Sequence, residues 1–369
     1  MSDQQLYIGL MSGTSADGID LALVDFARQP AKLIEKHYQA YDQSTHQDIT
    51  ALYQSGSNEI DRAFSLDIVL AQQFVQAIKQ LLKKADKQSH EIIAIGNHGQ
   101  TIRHRPTINA PFTLQIGCSQ TLATLTNIRV IGQFRRKDMA LGGQGAPLVP
   151  AFHRALFASE VNDVFIVNIG GIANITYLPC DPAKQILGFD TGPGNALIDD
   201  WYQKHHDGRY DDEGKWAKSG TVNQVLLREL MLDDYFQLSG PKSTGREHFH
   251  LAWLMPIIAR FSLKPEDIQA TLTALTALSI SEAIAKISTK SNVYICGGGA
   301  LNIELYSQLN QQLNDHSLAK TDDIGANSDS LEAFAFAWFA YAFDKKILGN
   351  ISAVTGACKE VVLGSEFNP

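Results

Sequence analysis

Cysteine is scarce in this chain of 369 residues, which contains only four. No pair of cysteines forms a C-x-x-C motif, and none has a histidine nearby at zinc-ligand spacing. This pattern argues against a disulfide framework and against a structural zinc site. We therefore predict that all four are reduced and buried; they are Cys118, Cys180, Cys296 and Cys358.

Long apolar and long basic segments are also missing. The longest purely apolar run, residues 333–343, has 11 residues, well short of the ~20 that cross a bilayer as a helix, and it predicts a buried helix. Acidic residues outnumber basic ones, 39 to 31, and the net charge is −8. Because nucleic-acid affinity comes mainly from clustered cations, this balance argues against a nucleic-acid partner. The first five residues lack the features of a secretory signal, so we expect a cytoplasmic protein without a membrane partner.

The length predicts two domains, at ~100–200 residues each. The first 40 residues alternate with the period of strands, and a glycine-rich polar loop separates the first two. Apolar residues then recur at helical spacing from residue 60 to residue 81, which predicts one buried face of a long helix ending near Lys84. Strands are predicted at residues 7–10, 19–26, 32–41, 92–95, 112–116 and 128–131.

A second copy of the opening pattern begins at Asp163. Strands at residues 164–169 and 172–178 flank Gly170 and Gly171, and a third strand is predicted at residues 186–189. Two copies of strand, glycine turn, strand, strand predict duplicated α/β lobes. The chain then turns mostly helical, returns to a strand at residues 292–296 and ends with a helix over about residues 329–345. From this repeat we place the first lobe at residues 1–132 plus about 346–369, and the second at residues 133–345.

The loop between the first two strands, residues 11–20, is the first candidate site. Its small residues let backbone N–H groups approach an anion, and Ser12, Thr14 and Ser15 add hydroxyl donors. It is not a Walker loop, because it lacks Gly-Lys-Ser/Thr and leads into a strand. A plain polar hairpin is the alternative, but the length and the hydroxyl groups favour phosphate binding.

Two more glycine motifs follow predicted strands. The turn at Gly170 and Gly171 is either a tight chain reversal or a second set of backbone donors for a polyphosphate. Residues 297–299 are three consecutive glycines between a buried strand and a helix. They would let a flat ligand or its phosphate lie against the backbone near a helix N-terminus, although simple chain reversal is the alternative.

Two carboxylates are candidates for chemistry. Asp190 is predicted to emerge from an apolar strand into a turn stiffened by Pro193 and Gly194, with Asn195 capping the helix that follows. There it would either bond turn amides or act as a general base beside a bound hydroxyl or water. Glu332 lies beside the apolar face of the last helix, and a surface glutamate is the rival interpretation.

Other polar residues are candidates for contacts with an acidic ligand. His98 and Gln100 follow a buried strand and could line the same cleft, although a loop histidine is often structural. The nearest cations are Arg103, Arg105, Arg135 and Arg136. The glycine-rich run at residues 142–147 would either act as a hinge or touch ligand, and the sequence does not choose between them.

Together these motifs resemble the anhydro-N-acetylmuramic acid kinase family. The Met-Ser-Gly-Thr-Ser and Asp-Thr-Gly-Pro-Gly-Asn segments are the most specific, and the matches cover nearly the whole chain in order. They are residues 9–20, 97–101, 142–147, 168–174, 189–195 and 296–300. The resemblance implies the superfamily of sugar kinases, heat-shock chaperones and actin. Its fold has two duplicated actin-like (ribonuclease H-like) α/β lobes with ATP bound in the cleft between them.

The resemblance also implies an activity, namely ATP-dependent conversion of 1,6-anhydro-N-acetylmuramate and water to N-acetylmuramate 6-phosphate during cell-wall recycling. It makes Asp190 the catalytic base, with ATP and Mg²⁺ as cofactors. The residues expected at the nucleotide are Gly13, Thr14, Ser15, Ala16, Asp17, Gly18, Ile19, Asp20, Gly170, Gly171, Asn174, Gly297, Gly298 and Gly299. Those expected at the sugar are His98, Gln100, Thr101, Arg135 and Glu332.

Some expectations stay open. The superfamily usually has an aspartate near Mg²⁺ at the end of the first strand, where this chain has Met11; Asp17 or Asp20 could substitute, and the metal ligands are unassigned. A nucleotide-driven switch with a protein partner is an alternative function, although the chain lacks an obvious peptide-binding domain. A kinase for another sugar is a second alternative. The lactyl carboxylate of muramate should pair with an arginine that the sequence does not identify. A homodimer is left open as the assembly.

Overall fold

The computed structural model describes residues 4–28, 30–238 and 242–369, so the first three residues of the inspected N-terminal segment lie outside the described residues. The strands are β1 (Leu6–Ser12), β2 (Gly18–Asp25), β3 (Lys32–Ala40), β4 (Ile92–Arg105), β5 (Phe112–Ile116), β6 (Val130–Gly132), β7 (Asp163–Ile169), β8 (Ile172–Leu178), β9 (Leu187–Pro193), β10 (Ser291–Cys296), β11 (Ser317–Lys320) and β12 (Ser365–Phe367).

The helices lie mainly between the strands of each sheet and after β9. They are α1 (Gln43–Ala51), α2 (Glu59–Lys84), α3 (Ser119–Thr126), α4 (Phe134–Ala140), α5 (Val149–Phe157), α6 (Ala196–His205), α7 (Lys215–Ser219), α8 (Gln224–Leu230), α9 (Asp234–Gln237), α10 (Leu251–Ile258), α11 (Pro265–Ala285), α12 (Ile303–Gln312), α13 (Leu331–Lys345) and α14 (Ser352–Thr355).

The chain forms two compact units. Unit 1 comprises residues 1–156 and 325–369, and its sheet has the order β12-β6-β4-β1-β2-β3, with β5 also paired to β4. Unit 2 comprises residues 157–324, and its sheet has the order β11-β10-β7-β8-β9. In each unit three antiparallel strands come first and parallel strands follow. This shared strand order confirms the predicted duplication of an α/β lobe.

The limits of the units differ from those expected from the repeat. They fall at residues 156/157 and 324/325, not at 132/133 and 345/346. The C-terminal helix α13 belongs to unit 1 because it packs on β1, β2 and β4. Gly9 and Gly96 make this close packing possible, since a Cβ atom at either position would overlap a backbone carbonyl oxygen of α13. The packing of α13 on the first sheet is a tertiary contact, and the periodicity of the strands does not reveal it.

Helix α2 has the expected bounds, and the predicted face is buried from Ala71 to Leu81 but not in the first turns of the helix. Ile60, Phe64 and Ile68 are exposed. The core takes Phe74 and Ile78 of the predicted face, together with Leu70, which the prediction did not include. At ~100° per residue, positions 64 and 68 lie about 80° and 120° around the helix from position 74, at and beyond the edge of the buried stripe. Ile60 lies in the first turn of the helix.

Two strands are longer than predicted. β4 continues through residues 96–105, so Asn97, His98 and Gln100 lie in a strand and not in a loop. β1 pairs with this continuation as far as Gln100, and β5 pairs with it from Gln100 to Arg105, so the continuation has a neighbouring strand along its length. β9 likewise continues through Pro193, so Asp190 lies within a strand rather than in a turn. Because the residues at these positions are polar, the pattern of apolar residues does not reveal that the strands continue there.

Two expectations about apolar and sulfur-containing residues have mixed outcomes. The run at residues 333–343 lies in the largely buried helix α13, as predicted. Within the described ranges, α11 is the one helix long and apolar enough to cross a membrane, and 78% of its most apolar window is buried inside the protein.

All four cysteines are free, as expected, but only Cys296 is buried and Cys358 is exposed. The prediction of burial was therefore wrong for Cys358, which lies outside the helices and strands.

Candidate active site

The loop between β1 and β2 has the form of an anion-binding turn. Ala16 has a left-handed backbone, with φ of +56°, and its N–H donates to the Gly13 carbonyl oxygen at 3.1 Å. Among the described residues, the N–H groups of Gly13, Thr14 and Ser15 have no hydrogen-bond acceptor. Thr14 and Ser15 are exposed. Backbone amides left free around a turn of this kind are suited to phosphate oxygens.

The carbonyl side of this loop is held by polar side chains. Gln100 is fully buried, and its Nε2 donates to the Gly13 carbonyl oxygen at 3.0 Å. Tyr53 donates to the Thr14 carbonyl oxygen at 2.8 Å. These bonds engage the carbonyl oxygens of residues 13 and 14. The N–H groups of the two residues remain available for a ligand. Gln100, expected to contact sugar, is thus placed as a support of the loop.

Ser12 also has a different position from the one expected. Its hydroxyl is buried and lies 2.5 Å from Gln100 Oε1 and 2.8 Å from the Tyr41 hydroxyl. It is therefore unavailable as a phosphate donor. Gly18 and Ile19 are buried in β2, where Ile19 is part of the core, so they shape the end of the loop.

Arg135 is fixed by two neighbours in unit 1. Its Nε and Nη2 lie 3.1 and 3.0 Å from His98 Nε2, and its Nη1 donates to the Gly145 carbonyl oxygen at 2.9 Å. Burial, and then the charge of Arg135, lower the pKa of His98 to about 3, so the ring is neutral. Because His98 Nδ1 lies 2.8 Å from the Gly99 carbonyl oxygen, Nδ1 carries the proton and Nε2 accepts. Two of the five guanidinium N–H groups have no acceptor in the described part of the chain and remain for another partner.

Two other residues expected at the sugar are less constrained. Glu332 is exposed in the first turn of α13. The positive charge of Arg135 acts on its carboxyl group. Thr101 is half-buried in β4, where its hydroxyl accepts a hydrogen bond from Gln115 at 3.1 Å.

A buried carboxylate that the sequence did not single out supports this part of unit 1. Asp138 is fully buried, and its Oδ2 accepts the N–H of Gly145 at 2.8 Å. Its Oδ1 accepts from Asn350 and Thr355, both at 2.7 Å. The network holds the residue 142–147 loop and, through the Gly145 carbonyl oxygen, Arg135. An aspartate following three basic residues resembles a surface charge, so no pattern signalled it.

In unit 2 the turn at Gly170 and Gly171, the segment at Pro193 and Gly194 and the triple glycine come together. Gly194 N–H donates to the Gly171 carbonyl oxygen at 2.9 Å, and Asn195 N–H donates to Gly170 at 2.7 Å. A Cβ atom on Gly194 would overlap the Gly170 carbonyl oxygen. Gly297, with φ of +79°, lies against Asn168 and Ile169 of the same turn.

Asn195 and the triple glycine depart in part from expectation. Asn195 immediately precedes α6, as predicted, but its side chain makes no capping bond and instead donates to the Ile169 carbonyl oxygen at 3.2 Å. The three glycines lead first into a short 3-10 turn, Gly298–Leu301, and α12 follows.

Polar residues form a row across the unit 2 sheet. Asn168 of β7 is paired with Asn174 of β8, and Asn174 is paired with Asp190 of β9. Directly paired residues on neighbouring strands present their side chains on the same face. The row therefore places the Asn174 amide beside the candidate base.

Asp190 has one oxygen occupied and one available. Its Oδ2 accepts from Ser243 Oγ and from the Thr244 N–H, both at 3.0 Å. Among the described residues, Oδ1 accepts no hydrogen bond. Desolvation raises the pKa of this half-buried carboxyl group, and the bonds from Thr244 and Ser243 oppose the shift. Such an environment is typical of a general base.

The sequence leaves the metal site unassigned, and its two candidate carboxylates, Asp20 and Asp17, differ in their surroundings. Asp20 on β2 is paired directly with Met11 on β1, the position where the superfamily carboxylate is expected. Asp17 is exposed in the loop. Within residues 4–28, 30–238 and 242–369, no group of three or more His, Cys, Asp or Glu side chains is placed to hold a metal ion. A site of one protein carboxylate completed by phosphates and water suits Mg²⁺.

Comparisons with known proteins agree with the motifs. The family model described as anhydro-N-acetylmuramic acid kinase matches residues 5–369. A protein of that name from Colwellia psychrerythraea is 54% identical, over 100% of this chain and 98% of its own length. One from Shewanella sediminis is 48% identical, over 98% of each chain.

Solved structures are more distant. A component of (R)-2-hydroxyglutaryl-CoA dehydratase from Acidaminococcus fermentans is 10% identical, with a TM-score of 0.46, over 90% of this chain and 98% of that one. A ROK hexokinase from Thermus thermophilus is 14% identical, with a TM-score of 0.37, over 91% of this chain and 99% of that one. Because the family model spans nearly every residue and full-length relatives are about half identical, the chain belongs to the anhydro-N-acetylmuramic acid kinase family.

Proposed function

We propose that this protein uses ATP and one water molecule to convert 1,6-anhydro-N-acetylmuramate to N-acetylmuramate 6-phosphate, with Asp190 as the general base. Membership of the family supports a sugar kinase that acts in murein recycling. The observation that carries the residue assignment is the Asp190 carboxyl group, which has one oxygen held by two donors and the other without a donor among the residues that the structure describes. In this proposal the reaction takes place in the cytoplasm.

The proposed base acts on water. Asp190 Oδ1 takes a proton from a water molecule as the water oxygen attacks the anomeric carbon of the anhydro-sugar. The bond from that carbon to the bridging oxygen breaks, as in an inverting glycosidase. The released oxygen attacks the γ-phosphorus of ATP, and ADP leaves. The phosphoryl group takes the place of the proton that a general acid would supply, so one base is sufficient.

The phosphate-binding role is assigned to backbone groups. In unit 1, the free N–H groups of Gly13, Thr14 and Ser15 support binding of ATP phosphates. In unit 2, the linked turns at Gly170 and Gly194 present further backbone, and residues 297–299 are assigned to adenosine. Positioning and electrostatic stabilisation provide most of the catalysis in phosphoryl transfer. Mg²⁺, held by Asp20 and the phosphates, would neutralise charge on the transferred group.

Arg135 is the arginine we assign to the acidic group of the sugar. Its two unused N–H groups form the kind of fork that binds a carboxylate in a bidentate manner. His98 acts through Arg135, because its neutral ring accepts from the guanidinium. Glu332 and Thr101 are assigned to other polar groups of the sugar.

The decisive experiment is a product assay in ¹⁸O-labelled water with ATP and 1,6-anhydro-N-acetylmuramate. We expect a sugar phosphate with one label at the anomeric hydroxyl and one ADP for each product. An unlabelled sugar phosphate would contradict coupled ring opening, and ADP without a sugar phosphate would favour a nucleotide switch. Asp190→Asn should retain both ligands and lower turnover by ~10²–10⁴; near-normal turnover would remove Asp190 from the base role.

A further inference from the structure

We infer that Ser243 is a positioning residue for the base, because together with the Thr244 amide it binds Asp190 Oδ2 and leaves Oδ1 as the oxygen that accepts the proton. This inference rests on the proposed role of Asp190. It concerns a segment, residues 242–244, that sequence patterns did not indicate.

The segment runs along a free sheet edge. β9 is the outermost strand of its sheet, so its outer backbone groups need partners from elsewhere. Asp190 N–H donates to the Lys242 carbonyl oxygen at 3.0 Å, and the Tyr235 hydroxyl donates to the Asp190 carbonyl oxygen at 2.6 Å. The N–H and the carbonyl group of Asp190 are therefore both hydrogen-bonded, independently of the contacts of its carboxyl group.

The segment is itself anchored to its neighbours. Lys242 Nζ donates to the Tyr235 carbonyl oxygen at 2.8 Å and lies 4.3 Å from the centre of the Tyr235 ring. Farther along, His248 N–H donates to the Gly245 carbonyl oxygen at 3.1 Å, and His248 Nε2 lies 3.0 Å from Asp233 Oδ1. Anchors on both sides allow Ser243 and Thr244 to fix the rotation of the carboxyl group.

Fixing Oδ2 has two chemical consequences. It makes Oδ1 the oxygen without a competing donor, and it stabilises the ionised carboxylate, because hydrogen bonds to the charged form favour that form. Burial acts in the opposite direction, as does the negative charge of Glu247. Among the described residues, Lys242 and Tyr235 also lie in this neighbourhood, and burial raises the pKa of Tyr235 so that it stays neutral. Loss of the Ser243 hydroxyl should therefore raise the pKa of Asp190.

The test is the pH profile of Ser243→Ala in the full-length protein. We expect kcat to fall about 10-fold, as for loss of one bond to a charged group, with KM for ATP unchanged. The acidic limb of kcat/KM should move up by about one pH unit. Ser243→Thr, which keeps a hydroxyl, should restore both. The matched control is Ser219→Ala, because Ser219 is an exposed serine of unit 2 that bonds only the Trp216 carbonyl oxygen.

The possible outcomes separate the two proposals. Ser243 is exposed, so the alanine variant should unfold at the same temperature as the parent. An unchanged acidic limb in that variant, or a loss of kcat that threonine does not restore, overturns the positioning role. If Asp190→Asn keeps its turnover, the base assignment itself is wrong, whatever the serine variants do. If Asp190→Asn is inactive and the Ser243→Ala profile is normal, only the inference about Ser243 fails.

Discussion

Gln100 Nε2 donates to the carbonyl oxygen of Gly13 at 3.0 Å, which joins the buried strand β4 to the loop after β1. The oxygen of the Gln100 side-chain amide, Oε1, accepts a hydrogen bond from Ser12 Oγ at 2.5 Å. The conformation of the candidate phosphate loop thus depends on a side chain 87 residues away in the sequence.

Replacing Gln100 with leucine should disturb that loop. The Gly13 carbonyl oxygen and the Ser12 hydroxyl would each lose one buried hydrogen bond, at ~0.5–1.5 kcal/mol each, while Ala16 and Tyr41 still bind them. We expect lower stability to urea and a KM for ATP raised at least several-fold, measured by steady-state kinetics. Gln120→Leu is the control, because Gln120 is exposed on α3. Normal ATP affinity in Gln100→Leu would show that the loop holds its shape without this bond.

Asp190 should give the reaction an acidic limb at a higher pH than an ordinary aspartate would. Desolvation raises its pKa, and a base acts only when deprotonated. Activity is therefore complete above the raised pKa and declines as the pH falls through it. The measurement is kcat/KM against pH with saturating ATP. A limb at or below the ordinary value near ~3.9 would contradict this environment for the base.

Gly194→Ala should damage unit 2. Its Cβ atom would overlap the Gly170 carbonyl oxygen, and the neighbouring backbone is held by Thr276, which donates to the Gly194 carbonyl oxygen at 2.9 Å. We expect a loss of about 1–3 kcal/mol in the free energy of unfolding, as for overpacking, together with weaker ATP binding by calorimetry. The matched control is Gly171→Ala, where the nearest atom would lie at 3.7 Å. Equal stability of the two variants would be inconsistent with the close approach.

Asp138→Ala should reduce both stability and sugar affinity. It would leave Gly145, Asn350 and Thr355 without their buried acceptor, so we expect several kcal/mol of destabilisation, at ~1–3 kcal/mol for each group. If the variant folds, KM for the sugar should rise more than KM for ATP, because the Gly145 carbonyl oxygen orients Arg135. Asp61→Ala, at an exposed position of α2, is the control. Equal effects on both KM values would contradict a specific link to Arg135.

Two buried histidines should make the protein sensitive to acid. Burial lowers the pKa of His98 and of His153 to about 3. An unfolded histidine binds a proton near pH ~6.5, whereas these two buried rings stay neutral down to about pH 3. The free energy of unfolding is therefore highest above pH ~6.5 and decreases as the pH falls toward 3. We expect a loss of about 2 kcal/mol for each histidine between pH 7 and pH 5, measured by urea unfolding. His153→Gln should reduce this dependence, whereas exposed His90→Gln should not; equal slopes would argue against neutral burial.

The sequence alone determined the class of fold and the family, and it predicted the main site segments. Alternation of apolar residues predicted the strands of both meanders, because a strand with one buried face has a period of two whatever lies beyond it. Strands β5 and β8 were predicted with the bounds that the structure has. Glycine motifs were informative for a related reason, since close backbone approach excludes other side chains.

Only the tertiary structure decided which polar residues face a ligand and which support the fold. Ser12 and Gln100 stand in specific motifs, yet both are buried behind the loop. Asp138 and Ser243 belong to no indicative pattern, yet one supports the loop that holds Arg135 and the other holds Asp190. Their partners lie far away in the sequence or in another element. Hydrogen bonding depends on distance and direction in space, and these arise only when the strands, helices and loops have packed together.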